Sequence, residues 1–174
     1  MNDEEINRLV QMIASKLTSR KDQHLTVNHQ EQFELVAAPS KSLFLNYDHV
    51  SVKNIQVSLI KDLYEFRTTN PWVEWLLTGL SYQVSIELDI NQAVMPFIPW
   101  KMLTRWPVTF KHGGNKIYGC ESLHLKREDI WDIPDQSILI KTNQQKLTSE
   151  AQELAVKKDL QLIERVDQSC IWGE

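Results

Sequence analysis

The sequence predicts an α/β fold: a single compact domain with a mixed or mostly parallel sheet and short helices, preceded by an N-terminal amphipathic helix. Short runs rich in β-branched and aromatic residues alternate with short helical patterns, as expected of βαβ units. The run Ile138-Leu139-Ile140 is apolar at consecutive positions, which is typical of a strand buried on both faces. The first residues of the chain instead follow a helical period.

The composition fits one soluble domain and disfavours several classes of partner. The chain has 174 residues, 42% hydrophobic and 24% charged, which suffices to bury a core without disulfides or metals. A formal net charge of -4 disfavours nucleic acid, since sequence-independent binding needs a basic surface, and it disfavours anionic membranes. No apolar run approaches the ~18 residues of a membrane span.

The N-terminus and the cysteines favour a cytoplasmic protein. The first residues, MNDEEINRLV, start acidic and lack the continuous apolar segment of a secretory signal. Cys120 and Cys170 do not form a CxxC pair, which disfavours a structural disulfide or a zinc site. We therefore expect a reducing compartment and no bound metal.

Residues 1–22 are predicted to form the amphipathic helix, with Asp3 as its N-cap. Its apolar residues recur at the spacing of one helical face, and we call them the apolar stripe: Ile6, Leu9, Val10, Ile13 and Leu17. Acidic residues in the first turn and basic residues near the last turn suit the helix macrodipole. Residues 23–32 are predicted to be a polar linker with room for one short strand.

Residues 33–167 are predicted to form the α/β domain, and residues 168–174 a tail. The predicted strands are 33–36, 43–45, 50–52, 83–88, 108–110, 116–120, 137–141 and 161–166. The predicted helices are 57–66, 71–79, 100–105, 125–133 and 148–158. The sequence His112-Gly113-Gly114-Asn115 favours a hairpin turn over a phosphate-binding loop.

The sequence lacks the common enzyme signatures GxGxxG, GxxxxGK[ST], HExxH and GxSxG. The five histidines are scattered, and His24 and His29 do not have the i, i+4 spacing of a helical metal pair. Cys120, within a predicted strand, is expected to be a small core residue rather than a nucleophile. We therefore expect no catalytic residue and no cofactor.

Two segments are candidates for binding partners. The apolar stripe could pack on its own domain or dock into a partner's groove, because a helix this short is marginal alone in water. A second candidate surface lies among Pro96, Pro99 and Pro107. It consists of Trp100, Lys101, Arg105 and Trp106, which form either a rigid connection packed on the core or a docking surface with Trp and Arg anchors.

The chain resembles the PduM family of propanediol-utilisation proteins of bacterial microcompartments. Three features carry the resemblance: the predicted amphipathic helix of residues 1–22, or starter helix; the proline-spaced run PFIPWKMLTRWP (96–107) with Phe110; and the closing segment from Leu147-Thr148-Ser149-Glu150-Ala151 to Leu162-Ile163. The resemblance implies a structural, non-enzymatic component needed for assembly of the compartment. It also implies that the starter helix links lumen contents to the shell, so that the partners are shell proteins and, as a further class, lumen enzymes.

One alternative of another class stays open at this stage. Parallel α/β domains often hold a flavin or nucleotide at the carboxyl ends of their strands, and Asp89 could lie at such an end. A pocket between the end of residues 84–89 and the Pro96 loop would make the protein a small flavin- or nucleotide-binding protein. A third possibility is an enzyme accessory factor, a chaperone-like partner for an enzyme of the pathway. The oligomeric state is left open.

Overall fold

A mixed β-sheet organises the chain in the computed structural model, which describes residues 2–32 and 34–166. The strands are β1 (His24–Asn28), β2 (Gln30–Glu31), β3 (Glu34–Leu35), β4 (His49–Lys53), β5 (Ser85–Asp89), β6 (Val108–His112), β7 (Asn115–Gly119), β8 (His124–Leu125), β9 (Ile138–Lys141), β10 (Lys146–Leu147) and β11 (Gln161–Glu164). The α-helices are α1 (Asp3–Arg20), α2 (Val57–Tyr64), α3 (Pro71–Ser81), α4 (Trp100–Arg105), α5 (Arg127–Trp131) and α6 (Ser149–Lys157). Single 3-10 turns lie at Lys41–Leu45 and Met95–Phe97.

The main sheet has seven strands in the order β1-β4-β5-β6-β7-β9-β11 within the described chain. Its first four strands are parallel to one another, and its last three are parallel to one another. The antiparallel β6–β7 hairpin joins the two halves. This confirms the predicted α/β class with a mixed, mostly parallel sheet. One edge of the sheet therefore carries the amino ends of the first half and the carboxyl ends of the second half, and we call it the shared edge.

The β6–β7 hairpin turns at Gly113 and Gly114, whose φ angles are 57° and 91°. Positive φ at both central residues matches the strand twist of a tight hairpin, and glycine adopts it without steric cost. The predicted hairpin turn is thus confirmed.

The core has two parts, one on each face of β9. Ile138 and Ile140 belong to the larger cluster, which includes Phe44, while Leu139 belongs to a smaller cluster beneath α5 and α6. Successive side chains of a strand point to opposite faces, so three consecutive apolar residues can all be buried. This confirms the prediction drawn from the apolar run.

Residues 43–45, predicted to be a strand, lie in the 3-10 turn Lys41–Leu45. The Ser40 hydroxyl accepts a hydrogen bond from the Ser42 backbone N–H, and this cap starts the turn. Only Phe44 of the three apolar residues is fully buried, with its ring 4.7 Å from that of Trp75. A Cβ on Gly79 would lie 3.0 Å from the Phe44 ring, so glycine makes room for it.

The N-terminal segments differ in detail from the prediction. The helix α1 begins at Asp3, with Asn2 rather than Asp3 as its N-cap. Residues 23–32, predicted to be a polar linker with room for one short strand, contain β2 in addition to the short strand β1, which pairs along its length with β4. The reason is that Leu25 and Val27 pack against the main core. The predicted strand at 33–36 appears as β3, whereas the tail 168–174 lies outside the described residues.

Within residues 2–32 and 34–166, no helix combines the length and the apolar character needed to cross a bilayer.

Truncation of Phe44 tests whether the 3-10 turn is anchored in the core. We expect Phe44→Ala to lower the free energy of unfolding by about 3–5 kcal/mol, because the ring is fully buried and leaves a cavity. Leu45→Ala is the matched control, since this side chain is 51% exposed. Its truncation should change the free energy of unfolding by no more than about 0.5 kcal/mol. Urea denaturation measures both. Similar losses for the two variants would contradict this account of the turn.

Candidate functional site

The C-terminal end of α1 is attached to the domain through Arg20. The Nη1 atom of Arg20 donates a hydrogen bond to the Phe44 carbonyl at 3.0 Å, and Nη2 donates one to the Tyr82 carbonyl at 2.9 Å. Beyond the helix, the Asp22 backbone N–H donates to Asp48 Oδ2 at 3.0 Å. These contacts hold the last turn of α1, and Lys16 Nζ, 3.4 Å from Asn46 Oδ1, is the nearest further bond toward the N-terminus.

The apolar stripe is exposed along its whole length. Its five side chains and the neighbouring Met12 are between 39% and 58% exposed, and no residue of α1 is buried. Of the two possibilities left open by the sequence, the described residues therefore do not seal the stripe against the protein's own domain. Six large apolar side chains in water on one helix are a feature of interaction surfaces.

A groove of about 370 Å³ lies between α1 and the domain. Leu45 and Tyr82, which are 51% and 46% exposed, form one wall. The other wall consists of six side chains of α1: Leu9, Met12, Ile13, Lys16, Leu17 and Arg20. The groove extends the apolar stripe onto the domain. Sequence reasoning missed Met12, Leu45 and Tyr82, because Met12 lies beside the stripe and the other two join it only through the fold.

The N-terminal half of α1 is stabilised locally rather than by the domain. Glu5 Oε2 accepts a hydrogen bond from the Asn2 backbone N–H at 3.0 Å, which satisfies the N-cap. Asp3, Glu4 and Glu5 in the first turn offset the positive end of the helix dipole. Local capping at one end and Arg20 at the other are the contacts that keep this exposed helix ordered.

The second predicted surface divides into two groups. Trp100 carries two cations near its ring, with Lys101 Nζ at 5.9 Å and the Arg105 guanidinium carbon at 5.3 Å from the ring centroid. Arg105 also binds Glu121 through Nε–Oε1 and Nη2–Oε2 contacts of 2.7 and 3.1 Å. The hydrogen bond from Arg105 lowers the pKa of the Glu121 carboxyl. The two side chains therefore form an exposed ion pair beside Trp100.

Trp106 belongs to a separate aromatic group. Its ring lies 5.1 Å from that of Phe66 and 6.3 Å from that of Tyr64. Phe66 is 59% exposed and has a φ of 54°, a conformation that bulky residues rarely adopt. Sequence reasoning did not single out Phe66, since nothing in its local pattern marks an exposed ring.

A cavity of about 310 Å³ lies where β7, β9 and β11 end, next to Trp100 and Cys120. Gln145 lines this cavity, and its Nε2 atom donates hydrogen bonds to the Cys120 carbonyl at 2.7 Å and to the Ser122 carbonyl at 2.9 Å. Burial, together with the charge of Asp129, raises the pKa of the Cys120 thiol to about 11. The thiol is therefore protonated at neutral pH and is a poor nucleophile.

The edge opposite the shared edge carries the carboxyl ends of the first half of the sheet, and the sequence predicts a flavin or nucleotide site there. A cavity of about 690 Å³ there is lined by the amides of Gln30, Asn54 and Asn91 and by the acid Glu31. None of its described lining residues is basic, which disfavours a phosphate-bearing ligand. Over the part of the chain that the structure describes, no group of three His, Cys, Asp or Glu residues is arranged to hold a metal ion.

His29 is a buried polar residue whose ring packs edge-on against Trp72, with centroids 5.3 Å apart. It is 3% exposed, and its Nδ1 atom has no hydrogen-bond partner among residues 2–32 and 34–166. Burial lowers the pKa of His29, and a hydrogen bond with the Asn54 backbone opposes this only in part. The imidazole is neutral in the folded protein near neutral pH.

A sequence model of the PDU-like family matches residues 8–161 of the chain. The description of this family is propanediol utilisation. The chain belongs to this family. Among curated proteins, it is similar to the bacterial microcompartment assembly protein PduM of Salmonella typhimurium (strain LT2), with 26% identity over 115 residues. That match covers 65% of this chain and 69% of PduM. No solved structure matches the chain. The predicted resemblance to propanediol-utilisation proteins is therefore confirmed.

Removal of the Arg20 contacts tests how α1 is held. We expect Arg20→Ala to speed amide hydrogen exchange across residues 3–20 at least tenfold, because a helix of this length is marginal without tertiary contacts. Exchange in β4 and β5 should stay unchanged. Arg8→Ala is the matched control, since Arg8 is exposed on the same helix. Equal exchange in the wild type and in Arg20→Ala would mean that Arg20 does not hold the helix.

The pH dependence of stability tests the neutral state of His29. The unfolded pKa is about 6.5 and the folded pKa is lower, so the unfolded chain binds more protons in the window below pH ~6.5. This contribution to stability is complete above that pH and is lost as the pH falls through the folded pKa. Urea denaturation between pH 7.5 and 5 should show a steeper loss for the wild type than for His29→Gln, with exposed His124→Gln as control. If the free energies of unfolding of the wild type and His29→Gln changed in parallel with pH, the lowered pKa of His29 would be refuted.

Proposed function

We propose that this protein is a non-catalytic assembly component of a propanediol-utilisation bacterial microcompartment, in which α1 links lumen contents to the shell. The observation that carries the proposal is the exposed apolar stripe on a helix attached to the domain at one end. Membership of the PDU-like family and the similarity to a protein named for microcompartment assembly supply the context. The protein would act in the cytoplasm, within or on the compartment.

The partner of the stripe is a groove of a shell protein. Full burial of a large apolar side chain stabilises a complex by roughly 1.5–3 kcal/mol, and these side chains are about half exposed before binding. Binding also carries an ordering cost, which is smaller when the element is already in its bound conformation. The cap at Asn2 and the Arg20 contacts reduce this cost, because they keep α1 helical before the partner arrives.

The surface around Trp100, Lys101, Arg105 and Trp106 is proposed as a second docking site, for a lumen enzyme or another scaffold component. Trp100 and Trp106 are half-buried, and Lys101 and Arg105 are exposed. Trp and Arg dominate the energetic centres of protein interfaces, which supports this choice. Neither nucleic acid nor membrane is proposed as a partner, and the opposite-edge cavity gives no observation in favour of a flavin or nucleotide.

Charge substitutions on α1 test docking to the shell. Full-length Leu9→Glu/Ile13→Glu should lose co-purification with shells, because a partner's apolar groove would have to bury two unpaired carboxylates. Gln11→Glu/Ser15→Glu is the matched control, since it adds the same charge on the opposite face of α1. A fusion of residues 1–22 to a fluorescent protein should form shell-associated foci. Retention of the Leu9→Glu/Ile13→Glu variant on shells, at the level of the control, would reject the docking role.

A further inference from the structure

The apolar stripe is arranged symmetrically about the middle of α1. Ile6 and Leu17 lie equally far from the point midway between Gln11 and Met12, and so do Val10 and Ile13. Leu9 and Ala14 are related in the same way, which pairs a large side chain with a small one. A sequence with this symmetry is complementary to itself when a second copy is turned through a two-fold axis.

The first turn of α1 is acidic and its C-terminal end is mostly basic, with Arg8 between them and Asp22 just beyond. The first turn holds Asp3, Glu4 and Glu5, while Lys16, Arg20 and Lys21 lie in and after the last turns. In an antiparallel pair, the acidic end of each helix lies beside the basic end of the other. A parallel pair would place like charges together at both ends. The charge pattern therefore favours an antiparallel arrangement.

We propose that the apolar stripe of α1 binds the stripe of a second copy of this chain in an antiparallel, two-fold symmetric contact. Ile6 of each copy then packs near Leu17 of the other, and Val10 near Ile13. The N-terminal end of the second helix lies at the groove, where Leu45 and Tyr82 extend the apolar contact. The occupant is another α1 because its shape and its charge order both match those of the site.

This inference goes beyond the proposed function and does not depend on it, since its observations lie within α1 and its groove. Two helices of 18 residues, about 27 Å long, bury less area than a standard stable interface, so the pair is reversible and depends on concentration. Self-association and shell docking use the same side chains. A shell groove therefore has to displace the second copy wherever the protein concentration is high enough for the pair to form.

Charge exchange between the two ends of α1 tests the proposal. Asp3→Lys/Glu4→Lys makes both ends net basic while it keeps the Glu5 cap, and Lys16→Glu/Lys21→Glu makes both ends net acidic. Purified, reduced full-length proteins are examined by sedimentation velocity at low salt, without shell protein. We expect the wild type to dimerise with rising concentration and each variant alone to dimerise at least tenfold more weakly. An equimolar mixture of the two variants should form a 1:1 heterodimer.

Further measurements separate pairing through the stripe from a folding defect. Leu9→Glu/Ile13→Glu should abolish dimerisation, while Gln11→Glu/Ser15→Glu should leave it intact, and circular dichroism checks the helix content of each. Added salt should weaken the wild-type dimer. A wild type that stays monomeric at 100 µM overturns the proposal, as does a mixture no more associated than its components. Because no shell is present, neither result bears on shell docking.

Discussion

The two hydrogen bonds from the Arg20 guanidinium to the Phe44 and Tyr82 carbonyls connect the N-terminal helix to the rest of the molecule. The position of the first carbonyl follows from the core, because the Phe44 ring is fully buried beside Trp75. The second carbonyl lies at the C-cap of α3. Packing of the core thus places two acceptors, the acceptors place one guanidinium, and the guanidinium sets the direction in which α1 leaves the domain.

The consequence for function is that α1 remains helical while its apolar side chains remain in water. An unattached helix of this length is only marginally stable in water, and a helix packed lengthwise on the domain would offer no apolar surface to a partner. Attachment at one end avoids both outcomes. The docking role proposed for α1 depends on this combination of a formed helix and uncovered apolar side chains.

The division of the sheet into two parallel halves brings the two predicted docking surfaces to the same edge. The helix α1 leads into the amino end of β1, and Trp106 lies just before the amino end of β6. Cys120, beside the Trp100 cavity, follows the carboxyl end of β7. All three positions belong to the shared edge, because β7 runs opposite to β6. A partner held by α1 would therefore approach the side of the domain that carries Trp100 and Trp106.

Features set by local periodicity could be predicted from the sequence. The helical spacing of the apolar stripe gave α1, the run Ile138-Leu139-Ile140 gave a strand buried on both faces, and Gly113-Gly114 gave the hairpin. The period of apolar residues reports whether an element is a helix or a strand, and glycine pairs report positive φ.

Features that depend on distant partners required the tertiary structure. Phe44 and its neighbours have strand-like composition but form a 3-10 turn, because one ring fits beside Trp75 and Gly79. Residues 24–28 became a sheet strand through pairing with β4. Arg20 meets Tyr82 across 62 positions through a backbone carbonyl. Every residue carries such a carbonyl, so residue type and spacing give no signal of where the helix is attached, and only the folded chain decides it.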